Sequence, residues 1–304
     1  MYVTKKIIGH EANLEKTQGL FFNGLAWLVV VACVYLPPLA QPKQLVVLTP
    51  LILLLGVPHG ALDPIFVRQI LHIQSNVAWV LFTLGYLSLA SSVVVLWWCA
   101  PMLFLVLFLL VSIFHFSGDL VGNPPKIFRI FYGGAIILCP LALHSTQVSS
   151  LFEILVGANN ANGFVLTLKW MAWPWAIAIG VVATLGIRQN TRCSAELLSV
   201  AALLIAAPPL LGFTVYFCCM HSARHILRVL NYSRQGTFKH LVAVAALPML
   251  ATLVAVAMGW HLLDELPIDT RITQILFVGL AALTIPHMII VEQVRFSGWK
   301  LGRG

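Results

Sequence analysis

The chain has 304 residues, 60% of them hydrophobic and 9% charged, and its mean hydropathy is +0.94. An ordinary soluble domain is about 25% charged, so this balance excludes a soluble enzyme, a disordered regulator and a nucleic-acid-binding protein. What remains is an all-α, polytopic integral membrane protein, in which the formal charge of +8 is read by position, because Lys and Arg gather on the cytoplasmic side.

A helix crossing a bilayer needs about 20 apolar residues, and the chain supplies about ten such segments. They run from Leu20 to Leu39, Gln44 to Val67, Val77 to Cys99, Pro101 to Val121, and Ile127 to His144. Gly163 to Ile187, Ala195 to Ala207, Leu210 to Leu230, His240 to Trp260, and Ile272 to Val291 complete the set. The seventh is short, and Pro208-Pro209 marks a tight join to the eighth, since proline disfavours helix at the residue before it. The polar stretch from Ser145 to Asn162 reads as an outer loop or an interfacial lid.

With the N-terminus in the cytoplasm, Lys43, Lys169 and Arg271 are the basic residues on the outer side. All the others, including Lys5, Lys6, Arg234, Arg295, Lys300 and Arg303, fall inside. This bias predicts ten spans with both termini cytoplasmic. The expectation is one membrane-embedded domain over residues 1–304, in the inner (cytoplasmic) membrane of the cell. Trp97, Trp98 and Trp260 fall at outer span ends, where interfacial tryptophan is expected. The six cysteines show no C-x-x-C spacing and read as small unpaired hydrophobes. A mixed-charge leader before Leu20 speaks against a cleaved signal peptide.

Five histidines lie inside spans together with carboxylates. The second span carries His59 and Asp63, the fourth His115 and Asp119, the eighth His221 and His225, and the tenth His287. These even-numbered spans all run from outside to inside. His59, His115, His225 and His287 each lie about fourteen or fifteen residues past a span start, roughly 21 Å deep at 1.5 Å per residue. His221 lies one turn above His225, so five imidazoles share one layer. His10, His72, His144, His240 and His261 fall near span ends or in loops, where solvated roles are the default.

The i, i+4 spacing puts His59 with Asp63, His115 with Asp119 and His221 with His225 on common helix faces. Two imidazoles one turn apart form a bidentate clamp, and neutral imidazole suits iron, zinc, copper and nickel alike. Asp63 and Asp119 can orient ligating rings by accepting their other N–H across helices. An intramembrane Asp costs roughly 2.5–3.5 kcal/mol on insertion scales, and a proton or ion relay is the competing explanation for two of them. His287 stands open between a fifth ligand, a hydrogen-bond donor behind one, and a pocket wall. Arg224, between the paired histidines, is expected to snorkel to the cytoplasmic face. Phe104, Phe108, Phe114, Phe116, Phe131, Tyr132, Trp173, Tyr216 and Phe217 either line a slot for a long apolar molecule or pack the helices.

The motifs Gly56-Val57-Pro58-His59-Gly60-Ala61-Leu62-Asp63, Phe114-His115-Phe116-Ser117-Gly118-Asp119 and His221-x-x-Arg224-His225 resemble those of the bacterial Brp/Blh family of membrane β-carotene 15,15'-dioxygenases. The resemblance covers essentially the whole chain in the same motif order. It implies cleavage of β-carotene by O2 at the central double bond, giving two molecules of all-trans-retinal. It also implies non-haem Fe(2+) held by His59, His115, His221 and His225, with Asp63, Asp119 and His287 as catalytic or ligand-orienting residues. Membrane lipid would surround the site, and the resemblance leaves a retinal-accepting rhodopsin open as a partner. Two other classes are weighed against it. A desaturase or hydroxylase also carries H-x-x-x-H pairs but needs about eight histidines including adjacent H-H pairs, which this sequence lacks. A transporter or metal carrier would use the His and Asp residues as a relay, yet no two-half repeat is visible.

Overall fold

A computed structural model describes residues 2–121, 124–233 and 237–293, with side chains from Leu14 onward. The side chains of Lys5, Lys6 and His10, and the residues Arg234, Arg295, Lys300 and Arg303, lie outside the described residues. Every regular element among the described residues is helical. That is the solution a bilayer imposes, because a helix satisfies its own backbone polar groups.

Helix α1 spans Tyr2–Tyr35, and α2 (Gln41–Leu51) follows with a proline in its first turn. A π-helical segment, Ile52–Gly56, and a 3-10 segment, Val57–Leu62, then lead into α3 (Asp63–Ile70). Helix α4 (Asn76–Cys99) is capped by the Ser75 hydroxyl, which accepts from the Ala78 amide, and buries none of its residues. Apolar side chains all round such a helix mean lipid contact. Helices α5 (Pro101–Ser117), α6 (Lys126–Leu138), α7 (Pro140–Val156) and α8 (Ala158–Gly186) follow. Asn190 caps α9 (Thr191–Ala206). The path then runs through α10 (Pro209–Tyr216), a second π-helical segment at Phe217–Ser222, and α11 (Ala223–Tyr232). Helices α12 (Phe238–Leu262) and α13 (Ile268–Gln293) complete the described fold.

Among the described residues, six helical stretches are long and apolar enough to cross a membrane, or seven if the bent pair α6–α7 counts as one span. Length and composition alone count six or seven of the ten expected. Helix α5 has 17 residues and α9 has 16, and the π segment interrupts the run from Pro209 to Tyr232. The expected loop or lid from Ser145 to Asn162 is a correction. It is helix, continuing as α7 after a 46° bend, with non-helical dihedrals at His144 where the fifth span was expected to end. Its polar residues bond one another: the Ser149 hydroxyl lies 2.8 Å from Asn162 Oδ1 and 3.3 Å from Glu153 Oε1. The break between α7 and α8 falls at Gly157, whose φ of 82° is the left-handed conformation glycine tolerates. All six cysteines are free, and Cys139, Cys193 and Cys218 are buried.

The main core joins α1, α6, α9 and α10 through Phe22, Tyr132, Leu197, Leu203 and Tyr216. A second cluster joins α3, α11, α12 and α13 through Phe66, Val229, Leu241 and Ile290. Phe104, Phe116, Tyr132, Tyr216 and Phe217 are buried packing residues, whereas Phe114 and Trp173 face outward. Close backbone approach sets α5 against α6: a Cβ on Gly133 would collide with the Ile113 carbonyl, the small-residue packing typical of membrane helices.

Candidate metal centre

The five span histidines converge between these two cores, each 9% exposed or less. Two of them sit where helical geometry is broken. The π segment ends at Gly56, and Pro58, which has no N–H to give the ladder, is the second residue of the 3-10 segment that carries His59. The Gly56 carbonyl accepts from His59 Nδ1 at 2.5 Å and from the Ser222 hydroxyl at 3.0 Å. The second π segment holds both Ser222 and His221. Single π turns inside α-helices recur at functional sites, and here two of them face one another.

Ring centroids of His59 lie 4.8 Å from His221, 5.1 Å from His287, 5.4 Å from His225 and 6.4 Å from His115. His115 lies 4.5 Å from His221, and His225 lies 5.1 Å from His287. Among the described residues, His59, His115 and His287 form a donor set with ring nitrogens within 4.8 Å of one another. His287, open between three roles in the sequence, therefore stands among the best-placed donors, with His221 and His225 beside the triad.

The tautomers follow from the partners. Asp63 Oδ1 accepts from His287 Nδ1 at 2.7 Å, and Asp119 accepts from His221 Nδ1 at 2.9 and 3.1 Å. Carbonyl and carboxylate oxygens accept, so Nδ1 carries the hydrogen in His59, His221 and His287, and Nε2 presents a lone pair. The Nε2 atoms of His221 and His287 are buried without a hydrogen-bond partner. Leaving such atoms unsatisfied is costly, and a bound cation would satisfy them. Neutral imidazoles with carboxylates or a carbonyl behind them are a typical metal donor set, so the residues present fit a transition metal. Both Asp–His pairs cross between helices, as expected.

The carboxylates are themselves held. The Tyr86 hydroxyl donates to Asp63 Oδ2 at 3.2 Å, and the Tyr216 hydroxyl donates to Asp119 Oδ2 at 2.6 Å. Arg224 is a correction: it does not snorkel to the interface but is 0% exposed, in a two-bond pair with Glu196 at 2.8 Å. Burial leaves a guanidinium no option but a partner. Sequence reasoning passed over Glu196, although a lone glutamate in an apolar segment signals an opposite charge nearby. Tyr86 and Ser222 carried no such signal. Beside the rings lies a cavity of about 20 Å³, room for about one water molecule. Its walls include His115, His221, His225, Arg228 and Glu292.

Fold and site together define a helical membrane protein with a buried, metal-competent histidine centre. Comparison with known families narrows that class: the family model described as Beta-carotene 15,15'-dioxygenase matches residues 50–295. The chain belongs to that family. It is 29% identical over 250 residues to the Beta-carotene 15,15'-dioxygenase of Uncultured marine bacterium 66A03, covering 80% of this chain and 90% of that protein. It is 25% identical over 309 residues to the Probable beta-carotene 15,15'-dioxygenase Blh of Halobacterium salinarum, covering 88% of each. No solved structure matches the chain.

Proposed function

We propose that this protein is a β-carotene 15,15'-dioxygenase that cleaves the central double bond with O2. The C=C and O–O bonds break, two C=O bonds form, and two molecules of all-trans-retinal result. The observation that carries this reading is the buried imidazole cluster, with Nε2 of His221 and His287 unpartnered, inside the segment matched by the family model.

His59, His115 and His287, with His221 and His225 beside them, would hold the metal, proposed to be Fe(2+). Bound there, iron supplies the O2 activation that side chains lack. The chain's own contribution is positional. Asp63 and Asp119 hold the His287 and His221 rings with Nε2 inward, and the Gly56 carbonyl does the same for His59. Buried walls such as Phe116 and Phe217 limit water around the reacting bond.

The setting belongs to the proposal as well. A single domain embedded in the inner membrane, with the chain crossing ten times and both termini cytoplasmic, accommodates the bias of Lys and Arg. It would require α5 and α9 to cross as short helices. β-Carotene would arrive through the surrounding lipid, and a rhodopsin is the proposed acceptor of retinal.

Expression in β-carotene-accumulating bacteria tests the reading. Loss of orange colour with retinal identified by chromatography is expected. Unchanged carotene, despite protein in the membrane and iron in the medium, would refute it.

A further inference from the structure

The buried ion pair between Arg224 and Glu196 lies outside the histidine cluster yet is tied to it by backbone. Arg224 Nη1 donates to Glu196 Oε2 and Nη2 to Glu196 Oε1, each at 2.8 Å, while Nε donates to Gln18 Oε1 at 2.9 Å. Nη1 also donates to the Asp119 carbonyl at 2.8 Å. Arg228, one turn on, donates to the Gly118 carbonyl at 2.9 Å and to the Asp119 carbonyl at 3.2 Å. Residues 118 and 119 directly follow α5, where a helix leaves carbonyls unsatisfied and favours positive charge. Two guanidiniums meet that need at the residue whose carboxylate holds His221.

Helix α1 closes the arrangement from the other side. Besides Gln18, it brings Gly19, where an added Cβ would lie 2.5 Å from Glu196 Oε1 and 3.0 Å from Arg224 Nη2. The helix backbone therefore rests on the ion pair itself. Gln18 and Gly19 precede residues 50–295, the segment matched by the family model, whereas Glu196 and Arg224 lie within it.

We propose that Arg224, locked by Glu196 and Gln18, is a positioning residue for the metal centre. It fixes the Asp119 backbone, and through the Asp119 carboxylate it sets the His221 ring. A bidentate guanidinium suits the task because its planar fork binds Glu196 and the Asp119 carbonyl at once. The turn from His221 to His225 thus presents imidazoles on one side and the clamp that aims His221 on the other. The inference rests on the metal reading of the site.

The test is Co(II) binding to the full-length, detergent-solubilised protein without O2, followed by equilibrium dialysis and ligand-field absorption. The decisive variant is Arg224→Met/Glu196→Leu, because replacing a buried ion pair with apolar residues is often neutral or stabilising to the fold. We expect its thermal midpoint to hold while Co(II) affinity falls about 10–100-fold and the absorption bands shift. If that variant does not fold, Arg224→Lys carries the test, with about tenfold weaker binding expected, since one ammonium cannot reproduce the fork. A folded variant with wild-type affinity and spectrum would overturn the inference alone. A wild type that binds no Co(II) would remove the metal reading, and this inference with it.

Discussion

Replacing Asp63 by alanine tests whether a carboxylate behind a ring sets metal affinity here. Asp63 Oδ1 sits 2.7 Å from His287 Nδ1, and both side chains are 3% exposed. No bulk solvent stands ready to replace the lost acceptor. Losing such a partner lowers metal affinity about 10–100-fold, or about 1.4–2.8 kcal/mol at 1.4 kcal/mol per tenfold. Asp63→Asn should fall less. Its amide oxygen still accepts from His287 while its NH2 turns toward the Tyr86 hydroxyl, so geometry survives and charge is lost. Equilibrium dialysis with Co(II) would order affinities wild type, Asn, Ala. The sharper measurement is a double-mutant cycle with His287→Ala. If Asp63 acts through that ring, Asp63→Ala in the His287→Ala background should cost almost nothing further. Additive losses, or an Asp63→Ala protein with wild-type affinity, would refute the reasoning.

His221→Ala should abolish retinal formation in carotene-accumulating cells while the protein still reaches the membrane; persistent cleavage would remove His221 from the site. Tyr216→Phe deletes the 2.6 Å hydrogen bond to Asp119, and about 1.5–3 kcal/mol of stability should go with it; an unchanged thermal midpoint would argue against a charged carboxylate there. Gly133→Ala pushes a methyl into the Ile113 carbonyl and should cost about 1–3 kcal/mol. By contrast, Gly85→Ala, which meets open space, should be neutral or stabilising. Equal melting points for those two variants would contradict the α5–α6 packing.

Much of the site was legible in the sequence because depth along a membrane helix is nearly a linear count of residues. That count put His59, His115, His221, His225 and His287 in one layer, and the structure brings their rings together. The pairing of aspartates with rings on other helices followed from the need to satisfy an imidazole's second nitrogen. What hydropathy could not carry was backbone register. The two π segments leave no mark in composition, yet they decide how His59 and His221 face. The polar run after His144 resembled a loop because Ser149, Glu153 and Asn162 satisfy one another only once folded. Arg224 looked interfacial because Glu196 lies 28 residues away in sequence and no local pattern links them.

The π segment at Phe217–Ser222 also works as a phase keeper. An α-helix turns about 100° per residue, and a wider turn takes up an extra residue without rotating the flanking halves against one another. Tyr216, just before the segment, reaches Asp119 from one direction, and His221, inside it, reaches the same carboxylate from another. A π turn holds about one residue more than an α turn, so removing a single residue there, such as Cys219, would let a regular helix form with its two halves in nearly the same phase. Tyr216 and His225, on the flanking helices, would keep their facing, while His221, inside the wide turn, would be turned relative to Asp119. Along this stretch the extra residue aims one side chain and leaves the helix on either side in phase, and chain length at Phe217–Ser222 is as much a part of the site as the identity of its histidines.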